Sequence, residues 1–189
     1  MRTAQIDAAV RELGAALREH HRGTADHSHR CALLAGRLAR RIGLPADEVF
    51  EVELVALLHD VGKLMVDREL LDHRGALTPS QRFRLCEHAA LGGTILATTA
   101  GLEHLAEAVR ATHEHYDGSG YPDGLAGDEI PLAARIVACA DAYDAMSATR
   151  AYRRALPREE AIRRLERAAG TQLDPSVVGA LLVTHTLPV

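Results

Sequence analysis

Apolar residues recur along the chain at the three-to-four-residue spacing of helices that each bury one stripe. Ile6, Val10, Leu13 and Leu17 form the first stripe and predict a helix from about Ile6 to His21. Thr24 is placed to cap a second helix, whose stripe runs His27, Cys31, Leu34 and Leu38 and which should end near Gly43. Pro45 suits the first turn of a third, containing Val52, Val55 and Leu58, and Gly62 is placed to stop it. After a turn-rich stretch Thr78-Pro79 opens another helix, and the segments 88–97 and 102–115 continue the array. Pro131 starts the most apolar helix, LAARIVACADAYDAMSA, while Pro157 and Pro175 begin two shorter closing ones. No run alternates with period two. The expectation is an all-α fold, a compact multi-helix bundle. Its one large interruption is HEHYDGSGYPDGLAGDEIP, His113 through Pro131, too rich in glycine and proline for a helix. A loop of that length inside a compact domain is usually either disordered or functional.

Polar residues interrupt the buried stripes at a few places, and the chemistry lies there. LVALLHDVGK sets His59 beside Asp60 at the end of an apolar helix. Adjacent helical side chains diverge by about 100°, so the pair cannot both face solvent while Leu57, Leu58 and Val61 are buried. Taken alone, the dipeptide proves nothing, since a core histidine bonded to a buried aspartate is the alternative reading. His27 shares the buried stripe of its own helix, and Asp141 stands within the most apolar helix, where Arg135 is the nearby cation. An ionised carboxylate so placed is costly unless something positive meets it. A metal ion is the simplest partner, and His88 and His113 supply two more neutral imidazoles. Such donors suit iron, manganese, nickel or zinc better than magnesium or calcium. Six of them exceed what one tetrahedral site needs, and an aspartate beside a histidine can bridge two ions, which suggests a binuclear site.

Composition narrows the class. A chain of 189 residues with 47% hydrophobic content can bury one sizeable core. A formal charge of -4 leaves no general basic field for duplex nucleic acid or an anionic membrane, so phosphate recognition must be local. No apolar run is long enough to span a bilayer and MRTAQIDAAVRELG lacks a secretory apolar segment, so the expected location is the cytoplasm. Cys31, Cys86 and Cys139 are widely spaced and odd in number, which fits small buried hydrophobes rather than disulfides or a CxxC metal site. Histidine stands out, with 11 residues against no tryptophan.

The segments HSHRCALLAGRLARRIGL, LLHDVGK, EHAALGGTIL, HEHYDGSGYPDGLAGDEIP, ARIVACADAYDAMSATRAYR and LDPSVV stand in the order and spacing of the HD-GYP domain, a branch of the HD phosphohydrolase superfamily. The chain resembles that family from about Gly23 to its end, most specifically in GSGYP. The resemblance divides it into an N-terminal helix, 1–22, packed on a phosphohydrolase domain, 23–189. It implies a helical bundle whose metal centre hydrolyses cyclic di-GMP to pGpG and then GMP. Carried over residue by residue, the ligands fall on His27, His59, Asp60, His88, His113 and Asp141. Two divalent transition-metal ions are implied, iron or manganese first and nickel or zinc as alternatives, with Asp60 bridging them and a hydroxide between them attacking phosphorus in line. Lys63 follows the His-Asp pair and would neutralise a phosphate oxygen. Tyr121 of GYP would reach the substrate from the loop, and Arg150 and Arg153 in RAYR match the family's basic pair. Asp117 and Asp123 read as turn formers. His29, His104, His115 and His185 have no motif support.

Two positions depart from the family pattern. Thr112 takes the place of the first of two paired histidines, so one expected ligand is missing and the second ion would be held less tightly or would recruit water. Gly23 takes the place of the glutamate found in members with a third metal, which argues against a trinuclear centre. Two alternatives therefore stay open beside the phosphodiesterase. One is a catalytically weak domain serving as a cyclic dinucleotide sensor or a docking module for signalling proteins. The other keeps catalysis and changes the substrate to another phosphoester such as cyclic GMP-AMP. The N-terminal helix, ending in His20 and His21, could also pair with a second copy as a homodimer.

Overall fold

The computed structural model describes residues 2–148 and 155–184; among them are nine α-helices and four short 3-10 turns, with no β-strand. The helices are α1 (Arg2–His20), α2 (Arg22–Ile42), α3 (Ala46–Leu58), α4 (Arg68–Leu71), α5 (Pro79–Ala97), α6 (Ala106–Arg110), α7 (Leu132–Ser147), α8 (Arg158–Ala168) and α9 (Pro175–Thr184). The all-α expectation is borne out. The central helix is α2, which packs against α1, α3, α7 and α9. Leu38, Leu58, Leu96, Leu105, Ile136 and Leu181 are among the fully buried side chains of one continuous core. Each contributes about 1.5–3 kcal/mol relative to exposure. A satellite cluster of Ala111, Ile130 and Ala134, with Leu125 against it, underlies the long loop.

On α1, Leu17 is buried while Ile6, Val10 and Leu13 pack half-buried on the core. Its C-terminal end is tied down further: His20 Nε2 lies 2.9 Å from Val66 O, and Arg68 donates to Glu19 O at 2.7 Å. No helix among the described residues is long and apolar enough to cross a membrane. Cys31 and Cys139 are buried free thiols, as expected, but Cys86 is only half-buried, because it sits where α5 approaches the site.

Several boundaries differ from the sequence expectation for identifiable reasons. His21, not Thr24, caps α2: its backbone is extended and its Nδ1 accepts from Thr24 N at 3.2 Å. An imidazole acceptor takes the part that a hydroxyl was expected to play. Thr78 does open α5, in a reciprocal capping box with Gln81. The single helix that follows carries His88 without a break. Segment 102–115 is not one helix; it breaks into a 3-10 turn, α6 and a second 3-10 turn, Ala111–His113, that ends at the loop.

Gly62 does not stop α3, which already ends at Leu58; it lies inside the 3-10 turn Val61–Met65. A Cβ there would lie 2.0 Å from His88 O and 2.6 Å from Gly92 N. The missing side chain lets the turn rest directly on the α5 backbone, which brings the His59-Asp60 pair to His88. Gly62→Ala is therefore expected to destabilise by about 1–3 kcal/mol or more. Gly14, in α1 with nothing within 4 Å of an added Cβ, should gain about 0.5–1 kcal/mol on changing to Ala. Urea midpoints of the two variants measure this contrast; equal midpoints would rule out the close approach.

Candidate metal centre

The break after Leu58 solves a packing problem. On an uninterrupted helix His59 and Asp60 would point in different directions, yet both are only 1% exposed. His59 closes α3, and Asp60 takes a bridge-region backbone (φ -99°, ψ 7°) that leads into the 3-10 turn. Both side chains thereby turn inward. His27 of α2, His88 of α5, His113 at the mouth of the loop and Asp141 of α7 meet them there.

The donors fall into two groups of three, each with ligand atoms within 4.8 Å of one another: His27, His59 and Asp141, and Asp60, His88 and His113. Asp60 lies between them. Its Oδ2 is 3.4 Å from His59 Nε2 and its Oδ1 is 3.3 Å from His88 Nε2. All six residues expected as ligands are thus brought together.

Hydrogen bonds set the imidazoles for ligation. His59 Nδ1 donates to Ala56 O at 2.7 Å and His88 Nδ1 donates to Leu85 O at 2.6 Å, each along its own helix. That network assigns the Nε2 lone pair of each neutral ring to the cluster. His88 Nε2 and His113 Nε2 then face each other at 2.9 Å, so either His113 donates an Nε2 proton to His88 or a cation lies between the two nitrogens. Among the described residues three buried side-chain atoms lack a hydrogen-bond partner, Ser28 Oγ, His59 Nε2 and Asp60 Oδ1, and two of the three belong to this cluster. Buried orphans of this kind call for an explanation. The donor set fits divalent transition metals.

Electrostatics agree. Burial would raise Asp60, but His59 and Lys63 outweigh it and hold the carboxyl well below its usual range. Burial would likewise raise Asp141, which the contacts with His27 and His59 keep far lower. Burial alone would lower His27; the carboxylates of Asp141 and Asp144 overcome it and push the imidazole up to about 12. Desolvation lowers His59, and desolvation with His88 takes His113 down to about 3. Two ionised carboxylates therefore face the neutral rings of His59 and His113, while His27, held between Asp141 and Asp144, carries a proton that it must give up in order to ligate.

The other candidates are placed as follows. Lys63 Nζ donates to Asp60 Oδ2 at 2.7 Å. The Tyr121 ring stacks on His113, with centroids 5.3 Å apart and planes at 10°. Burial first, and then Cys86, raises the Tyr121 hydroxyl above its ordinary range, so it stays protonated. Arg150 and Arg153 lie outside the described residues. Thr112 is buried and its hydroxyl donates to Val109 O at 2.9 Å. Asp117 accepts from Ser119 N as a turn former, whereas Asp123 is held by Arg110 through two bonds of 2.6 and 2.7 Å. Arg135 turns away from Asp141 to bind Asp174 at 2.7 Å and Asp128 at 2.9 Å. A cavity of about 480 Å³ between His20 and the 64–69 segment shares no residue with the donor groups.

Sequence reasoning missed two residues. Asp144 is 6% exposed; it sits 2.6 Å from His27 Nδ1 and receives Arg30 through bonds of 2.7 and 2.9 Å. It fixes the ring so that Nε2 points at Asp141, 2.9 Å away. The available signal was its position one turn after Asp141 on the most apolar helix. Glu114 is 3% exposed and accepts from Asp123 N at 2.6 Å and Gly124 N at 3.1 Å. Its adjacency to His113 was the only clue.

An all-α bundle that gathers imidazole and carboxylate donors from five separate segments defines a helical domain with a ligand set suited to metal. The chain belongs to the HD domain family, whose model matches residues 8–177. A cyclic di-GMP phosphodiesterase of Thermotoga maritima is 39% identical over 161 residues, 84% of this chain and 44% of that protein. The cyclic di-GMP phosphodiesterase response regulator RpfG of Xanthomonas campestris is 39% identical over 162 residues, 85% of this chain and 43% of that one. The 3'3'-cGAMP-specific phosphodiesterase 3 of Vibrio cholerae is 39% identical over 158 residues, 84% and 34%. Among solved structures, Bd1817 of Bdellovibrio bacteriovorus, an HDG"Y"P protein, superposes with a TM-score of 0.71 at 19% identity over 86% of this chain and 52% of its own. That likeness shows the fold. The chain spans less than half the length of these curated relatives. The matches bear out the family resemblance read from the motifs.

Two outcomes are expected. Asp144→Ala should weaken metal binding about 10–100-fold, the usual effect of losing a partner that orients a ligating histidine; an unchanged metal titration would contradict that role. In metal-free protein, His59 and His113 are shifted below their unfolded value of 6.5. The unfolded chain then binds more protons as the pH falls below that value, and stability declines by about 1.4 kcal/mol per pH unit for each proton taken up. For His113 the loss continues to about pH 3. Denaturant midpoints on chelated protein should fall steadily from near neutrality downward, and a flat profile there would refute it.

Proposed function

We propose that this chain is a metal-dependent phosphodiesterase that hydrolyses cyclic di-GMP to pGpG, GMP or both. The observation that carries the reading is the pair of three-donor groups joined by Asp60, with His59 Nε2 and Asp60 Oδ1 buried and unpartnered. His27, His59 and Asp141 would hold one divalent ion and Asp60, His88 and His113 the other, iron or manganese before nickel or zinc. When bound, such ions activate water at neutral pH and offset charge on the phosphate.

The chain's own residues do the rest. Asp60 presents one oxygen to each group and so fixes their separation. Asp144 and the carbonyls of Ala56 and Leu85 hold the imidazoles in register. Lys63, part-exposed beside Asp60, is within reach of a phosphate oxygen and stabilises charge that builds there. Tyr121, held against His113, contacts the dinucleotide from the loop, and Arg150 and Arg153 serve as its further phosphate or guanine contacts. The relatives named for cyclic di-GMP and for 3'3'-cGAMP are equally similar in identity, so cyclic GMP-AMP is the neighbouring substrate.

A second reading, a cyclic dinucleotide sensor with little turnover, is favoured by Thr112, whose hydroxyl proton is committed to Val109 O. Metal content per chain on anaerobically purified protein, assayed beside cyclic di-GMP turnover, separates the two. Two ions with linear product are expected; one ion or none, with binding but no product after iron or manganese is added, would establish the sensor. Asp60→Ala should lose turnover and metal together, and turnover retained with metal depleted would sink the mechanism. Tyr121→Ala should weaken binding of cyclic di-GMP while leaving metal content intact.

A further inference from the structure

The loop from His113 to Pro131 has almost no regular structure, yet Tyr121 stands against His113 at a defined angle. Something must hold it there. The backbone of the loop doubles back on its own start: Tyr121 N donates to His113 O at 3.2 Å and Gly118 N to His115 O at 2.8 Å. Gly120 makes this approach feasible, since a Cβ would lie 2.1 Å from His115 N. One weak backbone bond next to Tyr121 is little to fix a substrate arm against solvent competition.

Besides the contact of its hydroxyl with Cys86, the hold on the Tyr121 segment comes from Glu114. Its carboxylate is nearly inaccessible, and it accepts Asp123 N at 2.6 Å and Gly124 N at 3.1 Å on Oε1, with Gly124 N also 3.1 Å from Oε2. Asp123, thus held by its backbone, is held by its side chain as well, through the paired bonds from Arg110. Tyr121 lies between His113 and Asp123 in the chain, so both ends of its segment are anchored within one turn of a metal-ligand position. Glu114 is in neither donor group.

We infer that Glu114 is the positioning residue of the substrate arm: its carboxylate clamps the Asp123–Gly124 backbone and thereby holds Tyr121 against His113, with Arg110–Asp123 as the second anchor. The inference rests on the proposed reading for its link to the dinucleotide, but the clamp itself is a property of the metal-free chain. Glu114 touches neither the phosphate nor an ion. An isosteric amide keeps the Oε1 acceptor and should preserve most of the effect, whereas a group acting through its charge on metal or substrate would not be replaced by Gln.

The test compares Glu114→Ala, Glu114→Gln and Arg110→Ala with the wild type. Amide hydrogen exchange on metal-free protein should show protection at Asp123 and Gly124 lost in Glu114→Ala by on the order of ten-fold or more, and largely kept in Glu114→Gln. With cyclic di-GMP as probe, KM should rise on the order of ten-fold in Glu114→Ala with metal content unchanged and kcat affected less, resembling Tyr121→Ala. Arg110→Ala should shift both readouts the same way by a smaller factor, which keeps the test open if Glu114→Ala folds poorly. Unchanged exchange at Asp123 and Gly124 overturns the clamp. Loss of metal in Glu114→Ala without rescue by Glu114→Gln also overturns it, since Glu114 would then belong to the metal centre. A wild type that neither binds nor turns over cyclic di-GMP defeats the functional reading instead, and the exchange result still decides the clamp.

Discussion

An ionised carboxylate placed out of water must be met by positive charge or by directed donors, and Asp60 is the place where this chain faces that demand most sharply. It is 1% exposed, with one oxygen toward each group of imidazoles and Lys63 on its rim. In the low-dielectric interior its field reaches every neighbour, so the positions of His27, His59, His88, His113 and Asp141 make sense only together. Removing any one of them leaves the others with buried charge or lone pairs facing one another.

The fold supplies that arrangement through backbone geometry more than through packing volume. α3 ends one residue before the pair, the 3-10 turn rests on α5 through Gly62, and α2 and α7 lie side by side so that His27 meets Asp141 and Asp144. Aliphatic side chains fill the space around these elements and give the bundle its stability. The polar centre works against that stability in metal-free protein, because neutral imidazoles and unpartnered atoms are held where water cannot satisfy them. Stability given up at a site in exchange for a ready ligand set is the expected pattern for a metal-binding fold.

The long loop follows the same logic on a smaller scale. Apart from the 3-10 turn Gly127–Glu129 it has no helix, so its shape depends on scattered backbone bonds, on side-chain acceptors such as Glu114 and on ion pairs such as Arg110 with Asp123. Arg135 performs a similar service at the far end, joining Asp128 of the loop to Asp174 at the start of α9. Between those anchors Tyr121 is carried to the edge of the metal centre, where a loop residue can touch a ligand without being one.

Local periodicity and composition were enough to determine the helical class and the approximate extent of α1, α2, α3 and α7, and to single out the six candidate donors that the fold brings together, because helix spacing and a polar residue in an apolar stripe are properties of short segments. Thr78 was legible as a cap for the same reason. What the sequence could not disclose depends on partners remote along the chain. Asp144 meets His27 across 117 residues, and its place one turn after Asp141 hints at burial without naming that partner. Arg135 was read as a neighbour of Asp141, but helix geometry points it to Asp174. Gly62 was read as a helix stop, and only the packing of the 3-10 turn on α5 reveals it as a point of contact between two backbones. The division of the six candidate donors into two groups about Asp60 was likewise decided in three dimensions, since it depends on which helices cross at that point and on the two-residue break that turns His59 and Asp60 to the same side.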